Sequence, residues 1–109
     1  MMEEKLLSML GIARRAAKLA MGYDAAYDAM QKGKCRLLVL SADLSERTMQ
    51  SIREQAQRSG TEICCLDCTM ELLGKAVGRK QTGIIAINDS GFAKSVKALC
   101  GENSQEECT

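Results

Sequence analysis

The sequence predicts an α/β fold in which helices cover both faces of a sheet, a three-layer α/β/α sandwich. Segments with helical periodicity alternate with short extended segments along the chain. The longest extended segments are continuous apolar runs rather than alternating ones, which is typical of strands buried on both faces. The length of 109 residues and the apolar content of 46% suffice for one domain with its own core.

The first part of the chain alternates helix and strand signals. Apolar residues recur at spacings of three and four over residues 3–16, which predicts the first helix. Residues 18–21 form a short extended link that Gly22 ends. A second helix follows, and Gly33 fits the left-handed position that closes it. Residues 36–42 are predicted as a buried strand.

The middle of the chain carries a third helix and another buried strand. Asp43 and Glu46 have the spacing of a capping box for this helix, and Gly60 ends it. Residues 62–66 are the next apolar run and are predicted as a strand.

The last part repeats the same alternation. Thr69 can cap a fourth helix over residues 70–77, and residues 83–87 form a further buried strand. Asp89 or Ser90 can cap the last helix. Helices and strands therefore alternate throughout, as a sandwich with helices on both faces requires.

The cysteines and the hydropathy pattern bear on the compartment. Six cysteines raise the question of a disulfide framework, but the N-terminus shows no secretion signal and no apolar run reaches the roughly 18 residues of a membrane span. We therefore expect a cytoplasmic protein with reduced thiols and no membrane contact. Cys65 and Cys68 form a CxxC pair beside Cys64, but a structural zinc site usually needs two such pairs or added histidines. We predict core cysteines, no metal and no cofactor.

The residue types argue against an enzyme. The chain has no histidine, which removes the commonest general base and metal ligand. No pair of acids and no cysteine–base pair stands in a recognisable catalytic arrangement. The glycines form neither a phosphate-binding loop nor a dinucleotide fingerprint.

Charge is unevenly distributed along the chain. Residues 101–109 hold three of the fourteen acids and none of the fifteen bases, so residues 1–100 carry four more bases than acids. We predict one domain over residues 1–100 and a polar, acidic, disordered tail over residues 101–109. A mildly basic domain is compatible with a nucleic-acid partner.

The bases form three groups beside glycine turns. In chain order the groups are Arg14, Arg15 and Lys18, then Lys32, Lys34 and Arg36, then Arg79 and Lys80. Loops of α/β sheets gather at one edge, where ligands usually bind, so we expect the three groups to lie together.

Four segments in order resemble a known family. They read LGIARRAAKLAMG (10–22), AMQKGKCRLLVLSAD (29–43), LGKAVG (73–78) and IAINDSGFA (85–93). These resemble the bacterial YlxQ-type ribosomal proteins, members of the superfamily of kink-turn-binding ribosomal proteins of archaea and eukaryotes. The resemblance implies a mixed four-stranded sheet and a ribosome-associated protein that binds structured RNA at one edge.

The resemblance also implies which residues face RNA. These are Lys18, Gly22, Asp24, Ala25, Asp28, Lys32, Arg79, Lys80, Gln81 and Thr82. Lys18 and Lys32 are expected on phosphate. The loop of residues 79–82, expected to be exposed without a core role, would close over an extruded nucleotide.

The family signature is altered in this chain. In kink-turn binders the signature after the glycine contains Asn-Glu and, three residues further along, Lys. This chain has Asp24, Ala25 and Asp28 at the corresponding positions. An alternative is therefore a protein-interaction module on the same scaffold, with weakened or lost RNA binding and a ribosomal or other protein as its partner.

Overall fold

Helices and strands alternate as the sequence predicts. The structure is a computed structural model that describes the backbone of residues 2–103 and the side chains of residues 4–100. Its elements are α1 (Met2–Arg15), β1 (Leu19–Met21), α2 (Tyr23–Gln31), β2 (Leu37–Leu40), α3 (Glu46–Ser59), β3 (Ile63–Cys65), α4 (Met70–Ala76), β4 (Ile84–Ile87) and α5 (Ser90–Asn103).

The four strands form one mixed sheet in the order β1-β4-β2-β3. Strand β4 runs antiparallel to both of its neighbours, while β2 and β3 are parallel. The sheet therefore has two ends. At one end of the sheet β1, β2 and β3 finish and β4 begins, and we call this the upper end. We call the opposite end the lower end. The mixed four-stranded sheet implied by the resemblance is confirmed.

The core consists of two clusters, one on each face of the sheet. Leu37 and Val39 of β2 pack with α1, α4 and α5, whereas Leu38 and Leu40 pack with α2 and α3. Successive strand residues point to opposite faces, so a continuous apolar run supplies both clusters at once. The three-layer α/β/α sandwich is therefore confirmed.

The helix caps agree with the sequence except at α3. Thr69 accepts a hydrogen bond from the amide of Leu72 at 3.1 Å, and Asp89 accepts one from the amide of Phe92 at 2.9 Å. Gly33 adopts the expected left-handed conformation with φ of 69°, and Gly60, which ends α3 as predicted, has φ of 71°.

The predicted capping box of Asp43 and Glu46 is wrong. Ser45 caps α3, because its hydroxyl accepts the hydrogen bond from the amide of Thr48 at 3.2 Å. The carboxylate of Asp43 instead accepts a hydrogen bond from the amide of Met70, at 2.9 Å. Asp43 thus ties the loop after β2 to the start of α4, a contact between residues 27 apart in the chain.

A disulfide joins Cys64 of β3 to Cys100 of α5, so the expectation of reduced thiols is wrong at these two positions. The two residues meet because α5 packs on the face of the sheet to which Cys64 points. Their Cα atoms are 6.3 Å apart, within the range that a disulfide spans.

The CxxC pair is divided between the two core clusters. Cys65 packs with α2 and α3, while Cys68 packs on the opposite face of the sheet. Within residues whose side chains the structure describes, no group of three or more histidine, cysteine or acidic side chains could hold a metal ion.

Cys35 precedes β2 and is half-buried. Burial raises the pKa of its thiol to about 11, although the hydrogen bonds around it act in the opposite direction. The protonated thiol donates to the carbonyl of Leu37 at 3.4 Å. Reactivity belongs to the thiolate, so Cys35 is a structural residue rather than a nucleophile.

The last helix reaches beyond the predicted domain boundary. Helix α5 continues to Asn103, so the first three residues of the segment predicted as a tail are helical. Residues 104–109 of that segment lie outside the described residues. None of the described helices is both long and apolar enough to cross a bilayer.

Candidate nucleic-acid interface

The turn at Gly22 fixes the start of α2 at the upper end of the sheet. Its amide donates a hydrogen bond to the carbonyl of Ile84 at 2.8 Å, which pins the turn to the first residue of β4. The residue has φ 100° and ψ 165°, a conformation that favours glycine. Glycine has no side chain to cap the helix, so the first amides of α2 are left for a ligand.

The loop of residues 79–82 lies beside this turn, packed against α4. The amide of Arg79 donates to the carbonyl of Gly74 at 2.8 Å, and the amide of Thr82 donates to the carbonyl of Met70 at 3.0 Å. A Cβ on Gly74 would lie 2.5 Å from the Cα of Gln81. The loop therefore depends on the absence of a side chain at Gly74.

The loop is exposed at three of its four positions. Arg79, Lys80 and Gln81 are exposed, whereas Thr82 is only 6% exposed and its hydroxyl donates to the carbonyl of Ile84 at 3.4 Å. The expectation that all four residues lack a core role is therefore wrong for Thr82. It is buried because it leads directly into the central strand.

A groove of about 430 Å³ lies between the Gly22 turn and this loop. We call it the upper groove. Its lining includes Gly22, Tyr23, Ser45, Arg79, Gln81 and Thr82. Leu44, Met70 and Ile84 add apolar surface to it. The volume falls in the range of small-molecule pockets, and apolar surface beside a few polar groups is typical of such sites.

Tyr23 holds the start of α2 in place. Its hydroxyl lies 2.5 Å from the hydroxyl of Ser51 on α3, and its side chain is half-buried. Tyr23, Ser45 and Met70 were not predicted as site residues. These three residues belong to segments that are far apart in the chain. The only local signal for the site was Asp43, whose carboxylate joins the loop before α3 to the start of α4.

The three signature positions of α2 are exposed. Asp24 and Ala25 lie in its first turn, and Asp28 lies one turn further along. The carboxylate of Asp28 forms an ion pair with the ammonium of Lys32 at 3.1 Å, and both side chains are more than half exposed. The negative charge of Asp28 is therefore partly compensated within the helix.

The groups of bases do not gather at one end of the sheet, so that expectation is wrong. The carbonyl of Lys18 accepts from the amide of Asn88 at 2.8 Å, and the amide of Arg36 donates to the carbonyl of Ile87 at 2.7 Å. Both bases therefore lie at the lower end, whereas Arg79 and Lys80 precede β4 at the upper end. The antiparallel direction of β4 separates them.

The predicted site residues thus fall into two sets. Gly22, Arg79, Gln81 and Thr82 line the upper groove. Lys18 precedes β1, and Lys32 follows α2, whose nine residues place it roughly 13 Å from the helix start. The structure does not bring Lys18 and Lys32 to the groove, and their predicted role on phosphate stays a prediction.

Comparison with known proteins gives consistent matches over most of the chain. The model of the ribosomal protein L7Ae/L30e/S12e/Gadd45 family matches residues 4–97. "RNA-binding protein YlxQ" of Enterococcus faecium is 30% identical over 101 residues, covering 88% of this chain and 91% of the relative.

Two solved structures share the fold. A protein of unknown function from Bacillus halodurans C superposes with a TM-score of 0.84 at 29% identity, over 89% of this chain and 97% of the other. The Giardia lamblia 15.5kD RNA binding protein superposes with a TM-score of 0.78 at 16% identity, over 99% of this chain and 90% of the other.

The close approach at Gly74 gives a test of how the loop is held. We expect Gly74→Ala to lower the free energy of unfolding by about 1–3 kcal/mol, since overpacking against backbone atoms forces the chain to move. The amide of Thr82 should lose protection from hydrogen exchange, because its bond to α4 depends on the same approach.

The control is Gly78→Ala. Gly78 has φ 75° and open space where a Cβ would lie, so this variant adds only backbone strain of about 1–2 kcal/mol. It should leave the Thr82 amide protected. If Gly74→Ala kept both the stability of the parent and the protection of its Thr82 amide, the loop would not depend on the absence of a side chain at Gly74.

Proposed function

Because the chain belongs to the ribosomal protein L7Ae/L30e/S12e/Gadd45 family, we propose that it is a cytoplasmic, ribosome-associated protein that binds structured, kink-turn-like RNA in the upper groove. We propose a binding function and no catalysis. The observation that carries the proposal is the juxtaposition of the uncapped start of α2 with the loop of residues 79–82 across one groove.

The groove offers the contacts that folded RNA requires. The free amides at the start of α2 favour a phosphate, and the carboxylate of Asp24 can accept hydrogen bonds from a guanine edge. Arg79 and Lys80 supply cations for the backbone. Tyr23 and the apolar surface of the groove suit an unstacked base, which single-stranded RNA segments present.

The charge at the upper end is nearly balanced, and this limits the affinity. Arg79 and Lys80 flank the groove, but the exposed acids Asp24, Asp43 and Glu46 lie near the starts of the two helices that open onto it. Phosphate contacts dominate affinity for nucleic acids. We therefore expect selectivity for a folded RNA shape, with binding at the groove that is weak for this class of interface.

We expect Arg79→Ala combined with Lys80→Ala to weaken binding of a minimal kink-turn RNA, measured by fluorescence anisotropy across a salt series. The slope of log affinity against log salt should flatten by up to about two units, roughly one for each lost phosphate contact. The melting temperature should stay nearly unchanged, because both side chains are exposed.

The matched control is Lys5→Ala combined with Lys94→Ala. It removes the same charge from exposed positions of α1 and α5, away from the groove. Equal losses from the two pairs would mean diffuse attraction rather than a defined site. A parent protein that fails to bind kink-turn RNA even at low salt would favour the protein-interaction module instead.

Asp28→Asn should strengthen kink-turn binding by releasing Lys32 from its ion pair, and Asp28→Lys should strengthen it further by adding a cation. A favourable contact at a partly exposed site is worth about 1 kcal/mol, which corresponds to roughly fivefold in affinity. Loss of the exposed ion pair should cost α2 no more than about 0.5 kcal/mol.

Adding Ala25→Glu to Asp28→Lys restores the carboxylate of the family signature beside the restored cation. Its effect is measured in the same anisotropy titration. If none of the three variants binds kink-turn RNA more tightly than the parent, RNA does not contact this face of α2.

A further inference from the structure

The densest group of exposed bases lies at the end of the sheet opposite to the upper groove. We call this group the basic cluster, and it consists of Arg14, Arg15, Lys18, Lys34 and Arg36. The two arginines end α1 and lead through a short turn into Lys18. Lys34 and Arg36 follow α2 and precede β2.

The sheet brings the two halves of this cluster together. Lys18 and Arg36 lie on either side of Asn88, where β1, β4 and β2 meet the lower end. Two strand spacings separate their backbones, about 10 Å. This distance is close to the Debye length at 0.1 M salt, roughly 10 Å, so the fields of the two groups overlap.

Acids also lie at the lower end. Asp28 pairs with Lys32 at 3.1 Å and Glu62 forms an ion pair with Lys97. Asp89 accepts a hydrogen bond from the neutral amide of Phe92, and this one carboxylate does not offset the five bases of the cluster. Within the described part of the chain, no ion pair joins any base of the basic cluster to an acid.

The composition of this surface matches a nucleic-acid backbone better than a protein partner. Protein interfaces have an apolar centre from which charged residues are depleted. The most exposed large apolar side chains among the described residues are Ile12, Tyr27 and Leu72. Ile12 and Leu72 line a groove beside Arg14 and Arg15, whereas the turns that carry Lys18, Lys34 and Arg36 include none of the three. Cations without an ion pair on such turns are suited to phosphates.

We propose that the basic cluster binds the sugar–phosphate backbone of a second RNA segment, so that one chain holds two segments at opposite ends of its sheet. The identification of this nucleic acid as RNA rests on the proposed function. Lys18 and Gly22 are separated by β1, about 13 Å of extended chain, so a nucleotide in the upper groove does not occupy the basic cluster. The cluster adds affinity without reading sequence, since backbone contacts carry no base information.

The test uses a labelled A-form RNA duplex without an internal loop, titrated with the full chain at low and moderate salt. We expect the parent to bind it with a clear salt dependence. Lys18→Ala combined with Arg36→Ala should weaken this binding roughly tenfold or more, since a contact between unit charges about 4 Å apart in water is worth a factor of roughly five. Melting temperatures should be unchanged, because both side chains are exposed.

Two controls separate the basic cluster from the upper groove. Lys5→Ala with Lys94→Ala should leave duplex binding within about twofold of the parent, and Arg79→Ala with Lys80→Ala should weaken it less than the variant of the cluster does, because these pairs lie outside the cluster.

The possible outcomes divide clearly. Failure of the parent to bind the duplex at low salt, or equal losses from all three double variants, would each overturn the second site. Binding of a polyglutamate peptide at the cluster, without binding of the duplex, would assign this surface to an acidic protein instead. Failure of kink-turn RNA alone to bind would count against the upper groove and leave the duplex result standing.

Discussion

The direction of β4 determines what each end of the molecule can do. This strand lies between β1 and β2 and runs antiparallel to both. At its first residue it accepts a hydrogen bond from Gly22, which places the start of α2 beside the loop that precedes β4. At its last residue it accepts one from Arg36, and the amide of Asn88 just beyond it donates to Lys18. One buried strand therefore assembles the groove at one end and the basic cluster at the other.

Burial of β4 keeps these arrangements fixed. Ile85 and Ile87 pack against α1, α4 and α5, while Ile84 and Ala86 pack against α2 and α3. Slipping the strand by one residue would exchange the two sets between the core clusters. Both faces of β4 are apolar, so burial alone does not distinguish the two registers. The turns at the ends of the strand are themselves hydrogen-bonded, and these bonds set the register. The functional residues are exposed, yet their positions depend on this central contact.

Local features of the sequence were sufficient to predict the helices and strands but not how these elements are arranged in the fold. Apolar periodicity, the caps at Thr69 and Asp89 and the left-handed glycines are encoded within a few residues, and these predictions are confirmed. The direction of β4 is not local, so the grouping of the bases at one end was wrong. The Asp43–Met70 contact and the Cys64–Cys100 disulfide likewise join residues distant in the chain, and spacing alone could not identify them.

Geometry and charge are distributed differently over this scaffold. The upper groove keeps the shape in which an uncapped helix start faces a loop, yet the charges around it are nearly balanced and Lys32 is held by Asp28. Five exposed bases outside the described ion pairs lie at the other end. In this account, shape selects the RNA at one end and charge strengthens its retention at the other.

The most direct test of the central claim, that RNA enters the upper groove, is amide chemical-shift mapping by NMR during titration with a minimal kink-turn RNA. RNA bound in the upper groove should give the largest shifts at the amides of Tyr23, Asp24 and Ala25 and at those of Gln81 and Thr82. Shifts confined to the lower end, or to α5, would contradict it, even if the affinity were high.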